Sequence, residues 1–476
     1  MMIIDLFTKC LGAKNIITDK EAMSPFLEDW RGNHRGEAAA ILLPNSTQDV
    51  SEIMKLAEAH EVYIVPQGGN TGLVGGGIPD TSGKMFVLSL ARMNKVRSFS
   101  EDNRSMTVEA GCILQDLHEL ADSHDLYFPL NLAAKGSCSI GGNLSTNAGG
   151  INVLRYGNTR DLCLGLEVVL MGGKVMNLLT SLRKDNTGYD LKQLFIGGEG
   201  TLGIITAASL KLFPKPKARA TAIAAIKDPQ SGVSLLSSLK KATGDLVEAF
   251  EIMPHDIFAI VEKQFPNLPC PIQPIPQMSI LMEIASSDPL LAEMRDDGTV
   301  PIIEKLEMFL AEEFEKEQVL DAVIAQNETQ RQAMWDIREN APESTKRESW
   351  PVNTDISVAL SDIGRFYELA TQNVQEIDPD VRICGYGHLG DGNIHFNLVE
   401  KEGGDPGWSQ KRGAMFDAVY KALYDCNGSI SAEHGIGTMK AEQLKLVKDP
   451  VALEMMHAIK KSLDPKGLLN PGKILS

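Results

Sequence analysis

The spacing of hydrophobic residues predicts alternating helices and strands at the start of the chain. Ser46 is followed three residues later by Asp49, a pairing typical of a helix N-terminus, and apolar residues then recur at helical spacing at Val50, Ile53, Met54 and Ala57. Residues 62–65 are Val-Tyr-Ile-Val and run into glycines, which predicts a short buried strand. From about residue 80 to residue 212 the pattern indicates mostly strands separated by Gly- and Asn-rich turns.

The segment Pro214-Lys215-Pro216-Lys217 is the clearest linker, because its two prolines end whatever element precedes them. Beyond it, predicted helices alternate with predicted strands, at 229–241, 278–285, 301–318 and 381–399. This alternation indicates an α+β domain of roughly 200 residues. The remaining C-terminal residues are predicted to be largely helical, so we expect the chain to divide into 1–215, 216–420 and 421–476.

Length, composition and charge limit the classes of protein that need to be considered. A chain of 476 residues is too long for one ordinary core, so two or three domains are expected. An apolar content of 43% and a charged content of 23% are typical of a soluble globular protein. The formal net charge of −17 argues against nucleic acid and against an anionic lipid surface as partners.

Targeting signals and cysteine usage favour a reducing compartment. No run of about 18 apolar residues is present, so no membrane-spanning segment is expected. The N-terminal residues lack the basic and apolar regions of a secretory signal and the Arg/Ser-rich composition of a transit peptide. The seven cysteines are odd in number, scattered, and form no Cys-x-x-Cys motif. We therefore expect a cytoplasmic protein.

Two histidines flank a short loop and are the most informative chemical feature of the sequence. His388 and His395 enclose the dipeptide Asp391-Gly392, which is a strong signal for a two-residue type I′ hairpin turn. In that hairpin the two histidines lie opposite each other, with Cβ atoms roughly 5 Å apart. Asn397 shares their face, because side chains alternate along a strand. The alternative is that both histidines are simply polar residues on a solvated hairpin.

The pair Glu433-His434, which lies between glycines, adds a carboxylate and a third imidazole. Two histidines and one carboxylate leave coordination positions open, as in catalytic zinc sites and some non-haem iron sites. Because neighbouring side chains in an extended segment point apart, Glu433 can face a metal ion while His434 faces a substrate as a base. These residues favour a metal site over a solvated hairpin.

Glycine-rich segments at 66–77 and 136–150 predict a loop-built anion site. Successive backbone N–H groups in such loops hold anions, and missing Cβ atoms let a diphosphate approach closely. Residues 198–203 (Gly-Glu-Gly-Thr-Leu-Gly) match the dinucleotide-binding pattern, but Ile204-Ile205-Thr206 continues as a strand and residue 223 is not acidic. We therefore reject a Rossmann site and predict a cofactor diphosphate held by loops.

Several longer motifs resemble a known family. The segments 66–77, 139–143, 147–150, 155–157, 184–191 and 198–206 look like the FAD domain of the vanillyl-alcohol oxidase/p-cresol methylhydroxylase flavoproteins. The segments 385–395, 431–437 and 464–471 are similar to the branch that contains D-2-hydroxyglutarate dehydrogenase, D-lactate dehydrogenase and the FAD subunit of glycolate oxidase. The resemblance covers residues 38 to 473, nearly the whole chain.

The resemblance implies an α+β fold with three parts. A two-subdomain FAD-binding domain would occupy 1–215, an α+β cap domain with an antiparallel sheet 216–420, and a C-terminal helical segment that returns to the FAD domain 421–476. Asn70 stands where some members tether FAD through a histidine, so we expect non-covalent FAD. The implied cofactor-binding residues are Pro66, Gln67, Gly68, Gly69, Asn70, Thr71, Gly72, Pro129, Gly136, Ser139, Ile140, Gly141, Gly142, Asn143, Thr146, Asn147, Gly149, Gly150, Tyr156, Gly157, Glu199, Gly203, Ile204, Ile205 and Asn470.

The resemblance also implies a reaction and roles for the site residues. Zn²⁺ or a similar divalent ion would bind to His388, His395 and Glu433. His434 would act as the base, and Arg338 and Asn397 would bind the carboxylate region of a D-2-hydroxy acid. The substrate hydroxyl would lose its proton while hydride passes from Cα to FAD, which gives the 2-oxo acid. Substrates of this type include D-2-hydroxyglutarate, D-lactate, D-malate and glycolate.

The sequence departs from the family at the far end of the substrate. Members that act on 2-hydroxyglutarate have a threonine near Pro342 and a lysine near Asn353, so a second carboxylate would be held differently, by Arg347 or Lys346, or the substrate would be shorter. An electron acceptor such as an electron-transfer flavoprotein or a quinone is implied, and assembly as a homodimer is compatible with the resemblance. Two other hypotheses stay open: a metal-dependent hydrolase, and a flavin-binding electron-transfer subunit of a larger oxidase.

Overall fold

The computed structural model of this chain describes residues 3–32 and 34–475. It contains helices and sheets in both of its two compact units, which confirms the expected α+β class. Unit 1 comprises residues 1–150, 156–214 and 433–476, of which 1, 2, 33 and 476 lie outside the described ranges. Unit 2 comprises residues 151–155 and 215–432. Within the described ranges, the helices do not combine the length and apolar character needed to cross a membrane.

The elements are numbered in chain order. The helices are α1 (Ile3–Leu11), α2 (Lys20–Leu27), α3 (Thr47–His60), α4 (Leu114–Ser123), α5 (Ile140–Thr146), α6 (Val153–Tyr156), α7 (Lys192–Phe195), α8 (Pro229–Thr243), α9 (His255–Gln264), α10 (Pro301–Glu315), α11 (Glu328–Glu339), α12 (Ala341–Glu348), α13 (Ile363–Gln375), α14 (Trp408–Asp425), α15 (Ala441–Val447) and α16 (Pro450–Leu463). The strands are β1 (Ile16–Ile17), β2 (Ala40–Leu42), β3 (Ile64–Gln67), β4 (Phe86–Ser89), β5 (Val96–Ser100), β6 (Ser105–Glu109), β7 (Leu126–Tyr127), β8 (Cys163–Val169), β9 (Val175–Asn177), β10 (Ile204–Lys211), β11 (Phe213–Pro214), β12 (Ala218–Ile226), β13 (Val247–Pro254), β14 (Met278–Ser286), β15 (Asp321–Ile324), β16 (Ile356–Ser357), β17 (Arg382–Tyr386) and β18 (Asn393–Val399).

The first sheet of unit 1 carries the first glycine loop. It has the order β1-β2-β4-β3, with β2, β4 and β3 parallel and β1 antiparallel. The predicted cap of α3 is confirmed, since the Ser46 side chain accepts a hydrogen bond from Asp49 N at 3.1 Å. The predicted strand at 62–65 is displaced to Ile64–Gln67, and Tyr63 is 40% exposed. Residue 62 precedes the strand because Val62 N still bonds to the last turn of α3, at Ala57 O.

The second sheet of unit 1 is antiparallel, with the order β5-β6-β10-β8-β9. Strand β8 is buried along its whole length, so its sequence reads as a nearly continuous apolar run instead of an alternating one. Strand β10 starts at Ile204, directly after the glycine-rich residues 198–203, and this confirms that no Rossmann helix follows them. The core of unit 1 draws side chains from both of these sheets and from α3 and α4.

The C-terminal residues of unit 1 pair with its first sheet. Ile64 N donates to Leu468 O at 2.9 Å, and Asn470 N donates to Ile64 O at 2.7 Å. Lys460 on α16 donates to Thr201 O and to Leu469 O, at 2.8 and 2.7 Å. Helix α14 runs continuously through residue 420, and unit 2 ends at Ala432. Residues 433–475 therefore belong to the same compact unit as the glycine loops.

The main sheet of unit 2 is antiparallel, as expected for the region 216–420, and has the order β13-β14-β12-β15. Its core includes Met253, Phe258 and Trp335. Three buried glutamates, Glu248 and Glu251 on β13 and Glu283 on β14, interrupt these largely apolar strands. The predicted helices at 229–241 and 301–318 correspond to α8 and α10, which begin at the predicted residues.

The second sheet of unit 2 has the order β16-β18-β17. The histidine loop, residues 388–395, follows β17 and runs into β18. The predicted type I′ turn at Asp391-Gly392 is wrong. Residues Leu389–Asp391 form a 3₁₀ turn, and only Gly392 has a positive φ, of 83°. Asp391 Oδ1 accepts a hydrogen bond from Asn393 N at 3.1 Å, which stabilises this longer connection. As a result Tyr386, and not His388, lies opposite His395 in the ladder.

Candidate active site

A cavity of about 290 Å³ in unit 1 brings the two glycine-rich segments together. Most of the predicted cofactor-binding residues line it, namely Pro66, Gln67, Gly68, Gly69, Asn70, Thr71, Gly72, Ser139, Gly141, Gly142, Asn143, Thr146, Gly149, Glu199, Gly203, Ile204 and Ile205. The other predicted residues do not contribute to its wall, namely Pro129, Gly136, Ile140, Asn147, Gly150, Tyr156, Gly157 and Asn470. Sequence analysis missed the lining residues Ile78, Leu90, Leu132, Ala133 and Ala134, which lie outside the glycine-rich segments.

The cavity wall fits a group that approaches the backbone closely. A Cβ atom on Gly69 would lie 2.0 Å from Ser137 O, and one on Gly68 would lie 2.4 Å from Ser139 Oγ. Both glycines are therefore required by close approach of the two loops. Ser139 Oγ and Asn143 Oδ1 are buried and have no hydrogen-bond partner among the described residues. Buried polar atoms of this kind indicate a polar ligand in the cavity, and a flavin dinucleotide fits that requirement.

Asn70 occupies the position at which some members of the family tether their flavin. Its side-chain Nδ2 donates to Pro25 O at 3.1 Å and to Glu28 O at 2.8 Å. Its φ of 55° is left-handed, a conformation that asparagine tolerates better than most residues. The Asn70 side chain therefore fixes the glycine loop to the C-terminal end of α2. An amide is not a nucleophile suited to forming a flavin bond.

Glu199 fixes the segment that contains Glu433 and His434. The two oxygens of its buried carboxylate accept hydrogen bonds from Ile436 N and Gly437 N, each at 2.7 Å. Burial raises the pKa of Glu199, and the two amide hydrogen bonds oppose this rise. A Cβ atom on Gly435, whose φ is 81°, would lie 2.8 Å from Glu199 Oε1, so this contact requires glycine. Glu199 lines the cavity and also positions the loop beside it.

Glu433 and His434 both line the same cavity as the glycine loops. Glu433 Oε1 accepts a hydrogen bond from Gly150 N at 2.6 Å, at the end of the second glycine-rich segment. The predicted base and the predicted cofactor site are thus parts of one cavity of unit 1. His388 and His395, the other two predicted metal ligands, belong to unit 2.

In unit 2 the structure brings His388 and His395 together although the predicted turn is wrong. Their ring centroids are 5.8 Å apart and the rings are nearly perpendicular. His388 Nδ1 lies 2.6 Å from Glu251 Oε1, and because a carboxylate only accepts, Nδ1 carries the proton. Nε2 then carries the lone pair of the His388 ring. A pair of imidazoles with one ring oriented by a carboxylate is a suitable donor set for Zn²⁺.

Arg338 lies on α11 and is buried. Its Nε donates to Glu251 Oε2 at 2.7 Å, so Glu251 contacts both His388 and Arg338. Burial opposes ionisation of Glu251, yet His388 and Arg338 outweigh it and lower the pKa of Glu251 to about 2. The guanidinium also lies over the Tyr386 ring, at 4.9 Å from its centroid. Arg338 is a fixed cation with a planar fork suited to a carboxylate.

Asn397 lies on β18, two residues beyond His395, and is buried. Its Oδ1 accepts a hydrogen bond from Thr354 N at 2.9 Å, which holds the segment before β16 against β18. Asp355, which follows Thr354, accepts a hydrogen bond from Asn393 Nδ2 at 3.2 Å through its side chain. Its backbone oxygen accepts a second one from Ala432 N at 3.3 Å. Residue 432, which directly precedes Glu433, is thereby anchored close to β18.

Sequence analysis missed two buried carboxylates of unit 2, Glu251 and Asp355. The signal for Glu251 was present, since an acidic residue between Phe250 and Ile252 in a strand is rarely buried without a partner. Asp355 follows Asn353 and Thr354 in a polar segment without periodicity, and no pattern there distinguishes it from a loop residue. The positions at which the family differs, Pro342 and Asn353, are both exposed.

Comparison with known proteins places this arrangement in a family. A family model described as "FAD linked oxidases, C-terminal domain" matches residues 215–474, and one described as "FAD binding domain" matches residues 38–179. Mitochondrial D-2-hydroxyglutarate dehydrogenase of Arabidopsis thaliana is 40% identical over 99% of this chain and 81% of its own length. The Bos taurus protein of the same name is 40% identical over 97% and 81%. D-2-hydroxyglutarate dehydrogenase of Stutzerimonas stutzeri is 33% identical over 100% and 99%.

Solved structures show the same fold at low sequence identity. A p-cresol methylhydroxylase structure is similar with a TM-score of 0.75 and 15% identity, covering 100% of this chain and 96% of its own. An alkyldihydroxyacetonephosphate synthase is similar with a TM-score of 0.70 and 16% identity, over 98% and 84%. The expected vanillyl-alcohol oxidase type of fold is thereby confirmed.

The fold and the glycine-lined cavity define a flavoprotein oxidoreductase. More specifically, the chain belongs to the FAD-linked oxidase family.

Proposed function

We propose that this protein is a D-2-hydroxyglutarate dehydrogenase that uses FAD and a divalent ion to produce 2-oxoglutarate. The observation that carries the proposal is that the cavity formed by both glycine loops is also lined by His434. A base at the wall of the flavin cavity is the arrangement required to remove a proton while a neighbouring C–H bond transfers hydride. The relatives named D-2-hydroxyglutarate dehydrogenase supply the substrate class.

The domains and the cofactor follow from this assignment. Residues 1–215 would form the FAD-binding domain, 216–420 the substrate or cap domain, and 421–476 the C-terminal segment. FAD would be held non-covalently by the two glycine loops, with Ser139 and Asn143 donating to or accepting from it. The predicted residues outside the cavity wall would support these loops; Asn470, for example, donates to Gly76 O at 3.1 Å and to Glu199 O at 2.8 Å.

A divalent ion, with Zn²⁺ as the first candidate, would be held by His388, His395 and Glu433. The proximity of the two imidazoles in unit 2 supports this ligand set. A second support is the anchoring of Ala432 on Asp355, which also contacts Asn393, two residues before His395. With such an ion bound, the substrate hydroxyl becomes more acidic.

Side chains of this protein would bind the substrate and remove its hydroxyl proton. Arg338 and Asn397 bind the carboxylate next to the reacting carbon and orient the D-enantiomer. His434 takes the hydroxyl proton, a step for which a positioned base typically supplies about 10²–10⁴-fold in rate. FAD supplies the acceptor for the hydride that leaves Cα. The balance is the loss of one proton and one hydride from the 2-hydroxy acid, which leaves the 2-oxo acid.

The far carboxylate of 2-hydroxyglutarate would contact Arg347 or Lys346. Both are exposed on α12, and Arg347 pairs with Glu343 at 2.8 Å and stacks on Phe265. An exposed pair of this kind contributes little by itself, so a substrate carboxylate can replace Glu343 as the partner of Arg347. Because Pro342 and Asn353 replace the expected threonine and lysine, a shorter D-2-hydroxy acid is the second candidate substrate.

Anaerobic bleaching of the yellow protein tests the proposal. D-2-Hydroxyglutarate is expected to bleach the flavin faster than D-lactate, D-malate or glycolate, and L-acids are expected to have no effect. Removal of the metal should slow bleaching, and Zn²⁺ should restore it. A colourless purified protein would favour the hydrolase hypothesis, and bleaching by L-acids alone would contradict the stereochemistry.

A single variant separates the dehydrogenase from an electron-transfer subunit. His434→Ala should retain its flavin absorbance but lose substrate bleaching, because the base is removed and the cofactor loops remain. If wild-type protein fails to bleach with all of these acids, the electron-transfer subunit is supported instead.

An electron acceptor, a homodimer and a cytoplasmic location are further parts of the proposal. The odd, scattered set of seven cysteines supports the location.

A further inference from the structure

We infer that Glu251 is a positioning residue that couples the metal ligand His388 to the substrate-binding Arg338. This inference rests on the proposed function, because it concerns the same ion and the same substrate carboxylate. Glu251 itself contacts neither. Its role would be to set the orientation of the two residues that do.

The contacts of Glu251 use both of its oxygens. Oε1 lies 2.6 Å from His388 Nδ1, and Oε2 accepts from Arg338 Nε at 2.7 Å. The three side chains are buried, with exposed fractions of 1% for Glu251 and 7% for each partner. Strand β13 fixes the glutamate in place, because Ile252 and Gly387 exchange backbone hydrogen bonds at 2.9 and 3.1 Å.

The consequence for His388 is a single tautomer and a fixed ring. With Nδ1–H directed at Glu251, Nε2 carries the lone pair that binds an ion, and the carboxylate makes that nitrogen more basic. Without Glu251 the ring can rotate and either nitrogen can hold the proton. Metal ligands that lose a carboxylate partner of this kind typically bind their ion about 10–100-fold more weakly.

The consequence for Arg338 is a fixed direction of its fork. Because Nε is engaged by Glu251, the end-on pair of Nη groups is the edge presented to a substrate carboxylate. One carboxylate thus sets both the hydroxyl side and the carboxylate side of the 2-hydroxy acid. A displacement of Glu251 would disturb both together.

A second ion pair on the same helix, between half-buried Arg331 and a buried glutamate, provides a control. Arg331, one heptad before Arg338 on α11, donates from Nε to Glu283 Oε2 at 2.7 Å. Glu283 is as buried as Glu251 but shares its oxygens with Thr221 and Trp335 in place of a histidine. Glu251→Gln and Glu283→Gln will therefore both show the general effect of breaking an ion pair between α11 and a buried glutamate. Only Glu251→Gln will show an effect that acts through His388.

The experiment measures the Zn²⁺ affinity of the flavin-loaded protein by competition with a chromogenic chelator. Glu251→Gln should bind Zn²⁺ about 10–100-fold more weakly than wild type and should show a raised KM for D-2-hydroxyglutarate. Glu283→Gln should lose stability but keep the wild-type Zn²⁺ affinity. Equal Zn²⁺ affinities in wild type and Glu251→Gln overturn the inference.

Two further outcomes keep the test decisive. If Glu251→Gln does not fold, Glu251→Asp replaces it in the test. Aspartate retains the charge but is one methylene too short to reach both partners. Wild-type Zn²⁺ affinity and wild-type KM in Glu251→Asp overturn the inference, whereas weakening of either supports it. If the wild-type protein binds no Zn²⁺, the proposed metal site fails first. That result is distinct from normal wild-type binding that Glu251→Gln leaves unchanged.

Discussion

Replacement of Glu199 by glutamine tests whether the loop at residues 433–437 has to be held in place for turnover. The carboxylate accepts from Ile436 N and Gly437 N at 2.7 Å each. Glutamine retains one acceptor oxygen and turns an NH₂ group toward the second amide, so one charge-assisted hydrogen bond is lost and two donors face each other. Charge-assisted hydrogen bonds contribute about 1.5–3 kcal/mol each, and we expect the held conformation to lose about 2–3 kcal/mol.

The free-energy loss of the held loop conformation lowers the expected rate of flavin reduction. At about 1.4 kcal/mol per factor of ten, the held conformation becomes about 10²-fold less populated relative to displaced ones. A displacement of about 1 Å at a reacting group has a similar cost. We therefore expect Glu199→Gln to lower kcat by up to about 10²-fold, while the flavin stays bound through the glycine loops. Stopped-flow measurement of flavin bleaching under anaerobic conditions gives this rate directly, and the flavin absorbance gives the occupancy.

Glu167→Gln is the matched control for this variant. Glu167 is as buried as Glu199, and its Oε1 accepts from Thr47 Oγ1, Thr206 Oγ1 and Arg97 Nη1 at 2.6, 2.9 and 3.0 Å. Unlike Glu199 it lies on β8, away from the cavity wall. We expect Glu167→Gln to lose stability and keep its bleaching rate. If Glu199→Gln bleaches as fast as Glu167→Gln, the loop does not depend on this carboxylate and the reasoning is refuted.

Three further substitutions test the flavin cavity, a buried lysine and a helix cap. Gly69→Ala places a Cβ 2.0 Å from Ser137 O, and overpacking of about 1–3 kcal/mol should weaken FAD binding roughly 5- to 140-fold in fluorescence titrations. Gly413→Ala, on an open helix face, should not weaken it. Burial lowers the pKa of Lys473 from 10.5 to about 8, so the unfolded chain holds more protons between these values and stability rises with pH across that window. In denaturant unfolding, the rise should be up to about 3 kcal/mol larger in wild type than in Lys473→Met, and equal slopes would contradict the assignment. Ser46→Ala should cost about 1 kcal/mol in the same assay and Ser46→Asp almost nothing, because Asp49 N keeps an acceptor only in the second.

The elements that sequence analysis placed correctly are those whose signals are local. The cap at Ser46 and the start of α8 at Pro229 depend on residues within one turn of each other, and both occur where predicted. The shift of β3 has a different cause. Val62 N completes the last turn of α3 at Ala57 O, and Ile64 exchanges bonds with Leu468 and Asn470, some 400 positions away. A hydrophobic pattern specifies neither contact.

The two histidines of the histidine loop lie close together, as predicted, although the predicted turn between them is wrong. The sequence analysis brought His388 and His395 together by a two-residue turn, whereas in the structure Tyr386 lies opposite His395. His388 still approaches His395 because a 3₁₀ turn folds the chain back after Gly387, whose φ of 145° few residues other than glycine adopt. The proximity that a metal site requires was predicted from spacing, and the geometry that achieves it depends on torsion angles that the dipeptide Asp391-Gly392 does not determine.

The buried glutamates explain why the candidate site was only half visible in the sequence. Glu199 and Glu251 make their contacts with residues more than eighty positions away, so a short window cannot reveal the loop that Glu199 holds or the partners of Glu251. What the sequence does show is an acidic residue inside an apolar strand, at Glu251 and again at Glu283. A buried charge is costly unless it is paired, so each such position predicts a cation or a donor elsewhere in the chain. Only the fold distinguishes the two, because Glu251 contacts a histidine of the candidate metal site and Glu283 does not.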